Sequence, residues 1–493
     1  MWKTDPVRSI RRRVIVHAMI REPLIHSSAA SLAKAIRAKE LSATEVVQAY
    51  LQRIEKVNPS LNAVVMLAAA RAVKEAKEAD ARLSRGESVG PLHGVPMTIK
   101  DSFDTEGVIS TAGTLGRKHF IPAKDATVVE RLRRAGAILL GKTNTPEIAD
   151  GIETVNRVYG RTNNPYDLEK SPGGSSGGSA SIVAAAGSAF DIGSDTTGSL
   201  RIPAHCCGIA ALKPTAGRVP RSGHIIPFAS GAIDSWTHVG PLARYVEDLA
   251  LILPVISGPD WQDPPIVEVP LGDPGQVDLK KLRVAFYTEI GSRKPSAETV
   301  QAVRSVAAAL TGVVAMVEET LPPGIENTGR IMDQVNSAIT EAYDRRILLN
   351  AGTAEEDLGP VVKSQLQDAR TTQQRSASEL DNYISEMDVF RSQMLGFMKN
   401  VDLILCPVST ESATAHGAAP AWSFCGTYSI TGYPVAVVRA GSSKDGMPIG
   451  VQIVGRPWRE DVVLAVAGFV ETALGGWPLV GGAGKTRVPE LPY

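Results

Sequence analysis

The sequence is poor in the features that would commit it to a specialised class of protein. Aromatic residues make up only 5 % of its 493 residues, and no apolar run approaches the roughly 18–20 residues that span a bilayer. Neither charge sign is in surplus, because 52 basic side chains are matched by 52 acidic ones. A nucleic-acid or anionic-membrane partner would require a surplus of Lys and Arg, so we expect neither.

Cysteine is also scarce, and its scarcity argues against two further classes. Four thiols are too few for a disulfide scaffold, and they lack the C-x-x-C or histidine spacing of a zinc site. They are Cys206, Cys207, Cys406 and Cys425. Unpaired thiols are typical of a reducing compartment, so we predict a cytoplasmic protein.

The sequence does have an ordinary apolar fraction of 43 % and as many as 45 glycines. This composition is typical of a globular protein with a large core, and the length allows several small domains or one large α/β domain. Near the N-terminus, Arg11–Arg13 precede the apolar stretch Val14–Ile20, which is too short for a secretion signal and lacks a cleavage site. We therefore interpret residues 1–27 as an N-terminal arm.

Hydrophobic periodicity predicts helices in the first 90 residues, followed by alternating strands and helices. Ser42 and Glu45 form a capping-box pattern at the start of a helix that Asn58-Pro59 should end. Further along, short β-like runs alternate with a helix that Asp125 is expected to cap, which is typical of a βαβ unit. The predicted elements of this half are helices 42–57 and 68–83 and strands 95–99 and 138–140.

The second half of the chain begins with a predicted flexible stretch at 258–276, and residues 330–400 are predicted to be helical. The remaining predicted elements are strands 282–287, 313–317, 403–405, 435–438 and 449–454 and helix 297–310. Because strands occur near both ends of the chain, we predict an α/β fold with one sheet closed by distant segments.

Two motif matches in the glycine-rich half need to be weighed. Gly136–Thr143 fits the phosphate-binding pattern G-x-x-x-x-G-K-T, but its Ala-Ile-Leu-Leu centre is typical of a buried strand rather than a phosphate-binding turn. Asn144 should then cap a following helix. Gly174–Gly178 fits the G-x-S-x-G nucleophile elbow with Ser176 as nucleophile, but no strand precedes it. The elbow alternative would also need a histidine base, from among His205, His224, His238 and His416.

Three segments together point to a different chemistry. An apolar run leads into Lys100, and a poorly hydrated lysine can lose its proton near neutral pH and act as a base. A Gly-Gly-Ser-Ser-Gly-Gly segment contains Ser175, and serine needs such a base to become a nucleophile. The Thr-Thr-Gly-Ser turn that ends at Ser199 offers adjacent backbone N–H donors of the kind that a developing oxyanion requires.

At these residues the chain resembles the amidase signature family. That family combines a lysine after an apolar G-V-P strand with a GGSSGG segment and a G-S/T-D-x-G-G-S-I-R-x-P segment, and 24 positions separate Ser175 from Ser199 here as they do there. The similarity extends over about 28–470 and is weakest over 260–400. It implies a single large α/β domain, a mixed twisted sheet surrounded by helices. The implied boundaries are 28–480, with a catalytic core at 90–250, a variable helical substrate region at 325–400 and a tail at 481–493.

The resemblance also implies roles for individual residues. Ser199 would be the nucleophile, Ser175 the bridging serine after a cis peptide bond, and Lys100 the neutral base. The oxyanion hole would be formed by backbone N–H groups of Thr196, Thr197, Gly198 and Ser199. Supporting residues would be Ser176, which orients the lysine, and Asp195 with Arg201, which brace the nucleophile loop. The residues that line the acyl pocket would be Ala149, Asp150 and Gly151.

The function implied is that of a cofactor-free amidohydrolase, a monomer or homodimer, that cleaves a carbonyl C–N bond of a small molecule. Esters, anilides and carbamates are accessible to the same chemistry. The alternative within the family is the A component of a glutamine-dependent amidotransferase, which works with partner subunits. The chain departs from the family pattern at Thr197, where glycine is usual, and at Ser429, where asparagine is frequent. We interpret His205-Cys206-Cys207 as core packing rather than as metal ligands.

Overall fold

The computed structural model describes residues 24–228, 231–371, 375–418, 421 and 423–477. The predicted tail at 481–493 and most of the predicted N-terminal arm lie outside these residues. Both boundaries therefore stay predictions. Within the described ranges, no helix combines the length and the apolar character needed to cross a membrane.

The helices surround a central sheet. In chain order they are α1 (Ala29–Arg37), α2 (Ala43–Leu61), α3 (Ala69–Ser84), α4 (Thr127–Arg134), α5 (Gly177–Ala184), α6 (Arg201–Cys207), α7 (Val246–Ile256), α8 (Ala297–Leu310), α9 (Thr328–Ala351), α10 (Pro360–Thr371), α11 (Ala377–Met398), α12 (Ser423–Ile430) and α13 (Glu460–Leu474). The capping box predicted at Ser42 and Glu45 is confirmed, because the two residues exchange side-chain and backbone hydrogen bonds.

The strands are β1 (Val64–Leu67), β2 (Pro96–Lys100), β3 (Ile138–Thr143), β4 (Val155–Asn156), β5 (Gly160–Arg161), β6 (Phe190–Asp195), β7 (Ala210–Lys213), β8 (His238–Ala243), β9 (Arg283–Phe286), β10 (Met316–Glu319), β11 (Leu403–Pro407), β12 (Val435–Ser442) and β13 (Pro448–Gly455). Eleven of them form one mixed sheet in the order β1-β3-β2-β6-β8-β7-β12-β13-β11-β9-β10, and β4 pairs with β5. This arrangement confirms the predicted α/β fold with one sheet built from both halves of the chain.

Three local predictions were wrong for identifiable reasons. Helix α2 does not end at Asn58-Pro59 but continues to Leu61, because Pro59 is accommodated near its C-terminus and Asn62 ends it in a left-handed conformation. Asp125 does not cap α4, because its carboxylate accepts from the Glu106 N–H at 2.7 Å instead. The strand predicted at 313–317 begins at Met316, because the preceding residues form the turn that follows α8.

The region that carried the phosphate-loop pattern also differs in part from expectation. Its centre is strand, as predicted, and β3 extends from Ile138 to Thr143. Asn144 does not begin an α-helix, however. Only a short 3₁₀ turn at Glu147–Ala149 follows, and within it Ile148 has φ +49°. A regular helix cannot continue through a left-handed residue, so this segment ends as an irregular loop instead.

The sheet brings the chemically interesting segments together. β2 lies between β3 and β6, and it runs parallel to both. Lys100 therefore ends β2 at the same edge of the sheet where β6 ends at Asp195. The loop that contains Ser199 begins at this edge, which is where binding sites occur in open α/β sheets.

A second apolar core forms where the helices of residues 328–398 pack on the sheet. Helices α9 and α11 contribute buried residues such as Met332 and Phe390 to a cluster with β9, β11 and α12. The C-terminal part of α9 packs with Ile148 and Ala149 in a third, smaller cluster. The helices predicted over 330–400 therefore reach the residues beside the candidate site.

Candidate active site

Lys100 is buried at the carboxyl end of its strand. Every residue of Pro96–Lys100 is buried between neighbouring strands, and the lysine side chain has no exposed surface. Its Nζ lies 2.7 Å from Ser175 Oγ and 3.0 Å from Ser194 Oγ. The structure thus brings together two of the three residues predicted as the triad, and it adds a serine that sequence reasoning missed.

The environment of Lys100 favours its uncharged form. Burial lowers the pKa of this amine to about 7, even though Asp195 and Asp191 act in the opposite direction by attracting the ammonium. A large fraction of the amine is therefore neutral near pH 7, as a general base requires. The poor hydration predicted from the apolar run before Lys100 is confirmed.

Ser175 is held in place by the close approach of two loops. The Gly174–Ser175 peptide bond is cis, as the family resemblance implies. A Cβ on Gly174 would lie 2.7 Å from the carbonyl carbon of Ile152, so only glycine fits against this loop. The N–H of Ser176 donates to the carbonyl oxygen of Ser199 at 3.2 Å, which ties the glycine-rich segment directly to the loop that carries Ser199.

Ser176 itself does not have the environment of a nucleophile elbow. It is fully buried, the described residues just before it form no strand, and its Oγ donates to the carbonyl oxygen of Ser194 at 3.3 Å. The elbow alternative therefore gains no support. The role of Ser176 in orienting Lys100 stays a prediction, since its hydroxyl contacts the backbone of Ser194 rather than the amine.

The loop that carries Ser199 is organised by the carboxylate of Asp195. Oδ1 accepts from the Gly198 N–H at 2.8 Å, and Oδ2 accepts from the Leu200 N–H at 3.1 Å. Gly198 has φ +138°, and a Cβ there would lie 2.8 Å from Ile202 Cδ1, so the turn requires glycine. Ser199 has 9 % of its surface exposed, Thr196 and Thr197 before it are partly exposed, and Leu200 after it is fully buried.

The same carboxylate forms a buried, bidentate ion pair with Arg201. Nε lies 2.9 Å from Oδ2 and NH2 lies 2.8 Å from Oδ1, and neither side chain has exposed surface. Burial would raise the pKa of Asp195, but the guanidinium outweighs it and holds this pKa well below its usual range. The hydrogen bonds of Asp195 to the loop and to Arg201 are the contacts expected of residues that brace this loop.

Arg201 connects this loop to the far half of the chain. Its remaining N–H groups donate to the Cys425 carbonyl at 2.8 Å, to Gln452 Oε1 at 3.0 Å and to Ser429 Oγ at 2.8 Å. Ser429, one of the two departures from the family pattern, therefore acts as a hydrogen-bond acceptor for the bracing arginine.

Not all of the backbone N–H groups predicted to form the oxyanion hole are available to a substrate oxygen. The Gly198 N–H is already directed to Asp195, so it does not face the position of a substrate oxygen in this structure. Thr197, the other departure from the family pattern, keeps a negative φ, so its β-branched side chain causes no backbone strain. Thr196 Oγ1 lies 3.0 Å from Thr237 Oγ1, which anchors the start of the turn to the residue before β8.

The predicted substrate-binding residues Ala149, Asp150 and Gly151 lie in the loop that covers Gly174. Ala149 has φ +62° and its N–H donates to the Pro146 carbonyl at 3.0 Å, so the chain turns sharply here. A Cβ on Gly174 would lie 2.8 Å from the Gly151 carbonyl oxygen, which places this loop beside Ser175. Burial raises the pKa of Asp150, and burial together with the Asp150 charge raises the pKa of Asp344 on α9 to about 7.

Sequence reasoning missed a group of polar residues behind Lys100. His224 Nε2 lies 3.0 Å from the hydroxyl oxygens of both Ser102 and Ser194. Ser194 directly precedes Asp195 in the motif that contains Ser199. This position is the sequence signal that could have identified it as part of the site. The sequence offers His224 only as a possible base for Ser176, and nothing in its local sequence connects it with the lysine.

The histidine of α6 has structural partners on two sides of its ring. His205 Nδ1 accepts from the Gly450 N–H at 2.9 Å, and Nε2 lies 2.9 Å from the Glu411 carbonyl oxygen. The four cysteines are buried and unpaired. Among the described residues, no cluster of three or more His, Cys, Asp or Glu side chains has the arrangement of a metal site.

The buried ion pair generates a stability prediction. Arg201→Met should lower the free energy of unfolding by about 3–5 kcal/mol, because it leaves the Asp195 carboxylate buried without its counter-ion. Arg304→Met is the matched control. It removes an ion pair of the same 2.8 Å length whose side chains are about half exposed, and it should cost about 0–1 kcal/mol. Guanidinium chloride unfolding followed by circular dichroism compares the two, and equal losses would contradict the bracing role.

Comparisons with known proteins find relatives over most of the chain. A family model described as Amidase matches residues 45–464. The chain is 34 % identical over 466 residues to the A component of the glutamyl-tRNA(Gln) amidotransferase of Cyanothece sp. (strain PCC 7425 / ATCC 29141), covering 88 % of this chain and 95 % of that protein. It is 32 % identical over 471 residues to an acylamidase of Rhodococcus erythropolis, covering 90 % and 94 %.

Solved structures give the same result. The structure of 6-aminohexanoate cyclic dimer hydrolase complexed with substrate superposes with a TM-score of 0.81 at 29 % identity, over 91 % of this chain and 97 % of that one. The match of the family model over most of the chain, together with this structural similarity, shows that the chain belongs to the amidase signature family.

Proposed function

We propose that this protein is an amidohydrolase that cleaves a carbonyl C–N bond through an acyl-enzyme on Ser199. The observation that carries the proposal is the buried Lys100 amine, with a pKa of about 7 and 2.7 Å from Ser175 Oγ. An uncharged amine in hydrogen-bond contact with a serine is a base in position to accept that serine's proton.

The first half-reaction forms the acyl-enzyme. The Lys100 amine accepts the Ser175 hydroxyl proton while Ser175 accepts the proton of Ser199, and the Ser199 oxygen forms a bond to the substrate carbonyl carbon. The carbonyl oxygen becomes negatively charged, and backbone N–H groups of the turn at 196–199 stabilise it. Of the donors implied by the resemblance, Thr196, Thr197 and Ser199 serve this purpose, since Gly198 is engaged by Asp195.

Collapse of the tetrahedral adduct completes the first half-reaction, and hydrolysis of the acyl-enzyme in the second half-reaction restores the enzyme. The Lys100 ammonium returns a proton through Ser175 to the leaving nitrogen, so that the C–N bond breaks and the amine departs neutral. Water then attacks the ester on Ser199, with the same relay accepting and returning its proton. Asp195 and Arg201 hold the turn in a fixed shape throughout, so the donors need no rearrangement when charge develops.

The proposed substrates are small-molecule amides or anilides, with esters and carbamates accessible to the same chemistry. The names of the similar acylamidase and 6-aminohexanoate cyclic dimer hydrolase support C–N bond cleavage. Asp150 and the neighbouring residues at 149 and 151 are proposed to line the acyl pocket, together with α9. The buried, unpaired cysteines support the proposed cytoplasmic location, and a monomer or homodimer is proposed.

The A component of an amidotransferase is the second candidate function. It is favoured by the 34 % identity to the Cyanothece protein, of which this chain covers 95 %. The proposed relay is compatible with both functions, because releasing ammonia from glutamine is also amide cleavage. The balanced charge of the chain favours a free-standing hydrolase, since binding transfer RNA requires a positive surface.

Replacing the proposed nucleophile should eliminate turnover, and replacing the proposed base should reduce it strongly. Ser199→Ala should eliminate hydrolysis of an aryl amide, and Lys100→Ala should reduce kcat by several orders of magnitude, because general-base catalysis contributes about 10²–10⁴-fold. Ser181→Ala is the control, since this buried serine donates to the Asn163 carbonyl at 2.9 Å. Steady-state kinetics with a chromogenic anilide measures all three, and undiminished turnover in either triad variant would refute the assigned role.

The pH dependence should follow the amine. Because the neutral form of Lys100 is the reactive one, kcat/KM should rise with pH, level off above about pH 7 and fall tenfold per unit on the acidic side. The residual activity of Lys100→Ala should lack this acidic limb. A limb near the ordinary lysine pKa of about 10.4, or one that persists without Lys100, would contradict the proposal.

A substrate panel distinguishes the two candidate functions. Chromogenic anilides, esters and carbamates of varied acyl length should be hydrolysed by the purified chain alone, and kcat/KM identifies the preferred class. Glutamine is included in the panel. Release of ammonia from glutamine only after partner subunits co-purify, with no turnover of the other compounds, would reverse the assignment in favour of the amidotransferase.

A further inference from the structure

The second hydrogen bond of Lys100 limits how its lone pair can be used. A neutral amine has two N–H donors and one lone pair. If the lone pair accepts the Ser175 proton across 2.7 Å, the contact of 3.0 Å with Ser194 must use an N–H that donates to Ser194 Oγ. Ser194 must then direct its own hydroxyl proton to another acceptor.

His224 offers that acceptor. Its Nε2 lies 3.0 Å from Ser194 Oγ, and both residues are more than nine-tenths buried. The Ile226 carbonyl oxygen lies 3.2 Å from Nδ1 and can accept a proton carried there. Burial lowers the pKa of His224 well below its ordinary value, and the nearby Lys100 acts in the same direction, so the ring is neutral and only one nitrogen carries a proton.

The opposite tautomer would work against the base. The Ile226 N–H lies 3.1 Å from Nδ1 and could donate to it, which would place the ring proton on Nε2. Nε2 would then donate to Ser194, whose hydroxyl proton could turn to the Lys100 lone pair at 3.0 Å. That hydrogen bond would compete with Ser175 for the lone pair that catalysis needs.

We propose that His224 is a positioning residue for Lys100, with its proton on Nδ1 and its Nε2 accepting from Ser194. The hydroxyl of Ser194 thereby accepts an N–H of Lys100, and the amine lone pair is directed to Ser175. His224 exchanges no proton with substrate. This inference rests on the proposed Lys100–Ser175 relay and extends the site by one histidine and one serine.

The fold holds the imidazole firmly in this place. The segment that carries His224 lies antiparallel to the residues that follow Lys100, with a bridge between Phe103 and His224. The Ile225 N–H donates to the Ser102 carbonyl at 2.8 Å, and the imidazole packs on the Phe103 ring with centroids 4.6 Å apart. A ring fixed from two sides can orient a neighbouring hydroxyl without reorganisation.

Variants with and without an acceptor test the proposal. His224→Met, similar in volume but without a comparable acceptor, should lower kcat about 10- to 100-fold with KM unchanged, because the amine loses its orientation. His224→Gln, whose carbonyl can accept from Ser194, should recover most of that loss. A structural role alone predicts no such recovery together with an unchanged KM, so equal losses in both variants would overturn the proposal.

Two serines at the same distance from Nε2 provide the matched control. Ser194→Ala should resemble His224→Met, and combining the two should add less than about threefold, because they interrupt the same chain of hydrogen bonds. Ser102→Ala removes the other hydroxyl 3.0 Å from Nε2 and should keep kcat within about threefold of the wild-type value, because Ser102 makes no contact with the amine in this chain of hydrogen bonds. Additive losses in the double variant would refute coupling through Ser194.

The tautomer can be observed directly. Nitrogen-15 NMR of the histidine side chains at pH 8, with His224 assigned by comparison with His224→Gln, should show a protonated Nδ1 and an unprotonated Nε2. A protonated Nε2 would overturn the proposal whatever the kinetics show.

Failure of the inference can be separated from failure of the proposed function. The rate of Ser199 acylation is followed by mass spectrometry with an activated aryl carbamate as probe. If the wild-type protein is not acylated at Ser199, the proposed function fails and the inference fails with it. If the wild-type protein is acylated and His224→Met reacts at the same rate, only the role of His224 is refuted.

Discussion

Removal of Lys100 from water disfavours its ammonium form, and the resulting pKa of about 7 is the property on which the proposed chemistry depends. Burial alone would make the amine neutral but would not fix the direction of its lone pair. Ser175 and Ser194 give it two directions, and the parallel pairing of β2 with its neighbours determines where its stem ends. The surrounding fold can be understood as the means of keeping one basic group dry and oriented.

The residue after Ser194 belongs to a buried pair that stays charged, whereas the buried Lys100 amine becomes neutral. Asp195 and Arg201 are also fully buried, yet both stay charged because each compensates the other through two short hydrogen bonds. The same carboxylate accepts from backbone N–H groups of the loop that carries Ser199, and the same arginine reaches Ser429 and Gln452 near the other end of the chain. One ion pair thus links the turn that carries Ser199 to α12 and β13 in the far half of the chain.

Much of the fold and part of the site follow from sequence patterns. The capping box at Ser42 and the strand that ends at Lys100 were predictable because both depend on local residue order. The end of α2 and the start of α4 were not, since Pro59 is accommodated near a helix end and Asp125 is recruited by Arg133 and the Glu106 N–H. Tertiary contacts outweighed the local preference at both places.

The sequence by itself determined the residue types and the order of the predicted site, because Lys100, Ser175 and Ser199 lie in motifs whose spacing is visible in the chain. It also determined the family. Only the tertiary structure decided that Gly198 directs its N–H to Asp195, that Ser429 supports Arg201, and that His224 lies behind the lysine. Those contacts join residues through folding of the backbone and through burial, and the direction of a hydrogen bond or the pKa of an amine depends on neighbours that residue order does not specify.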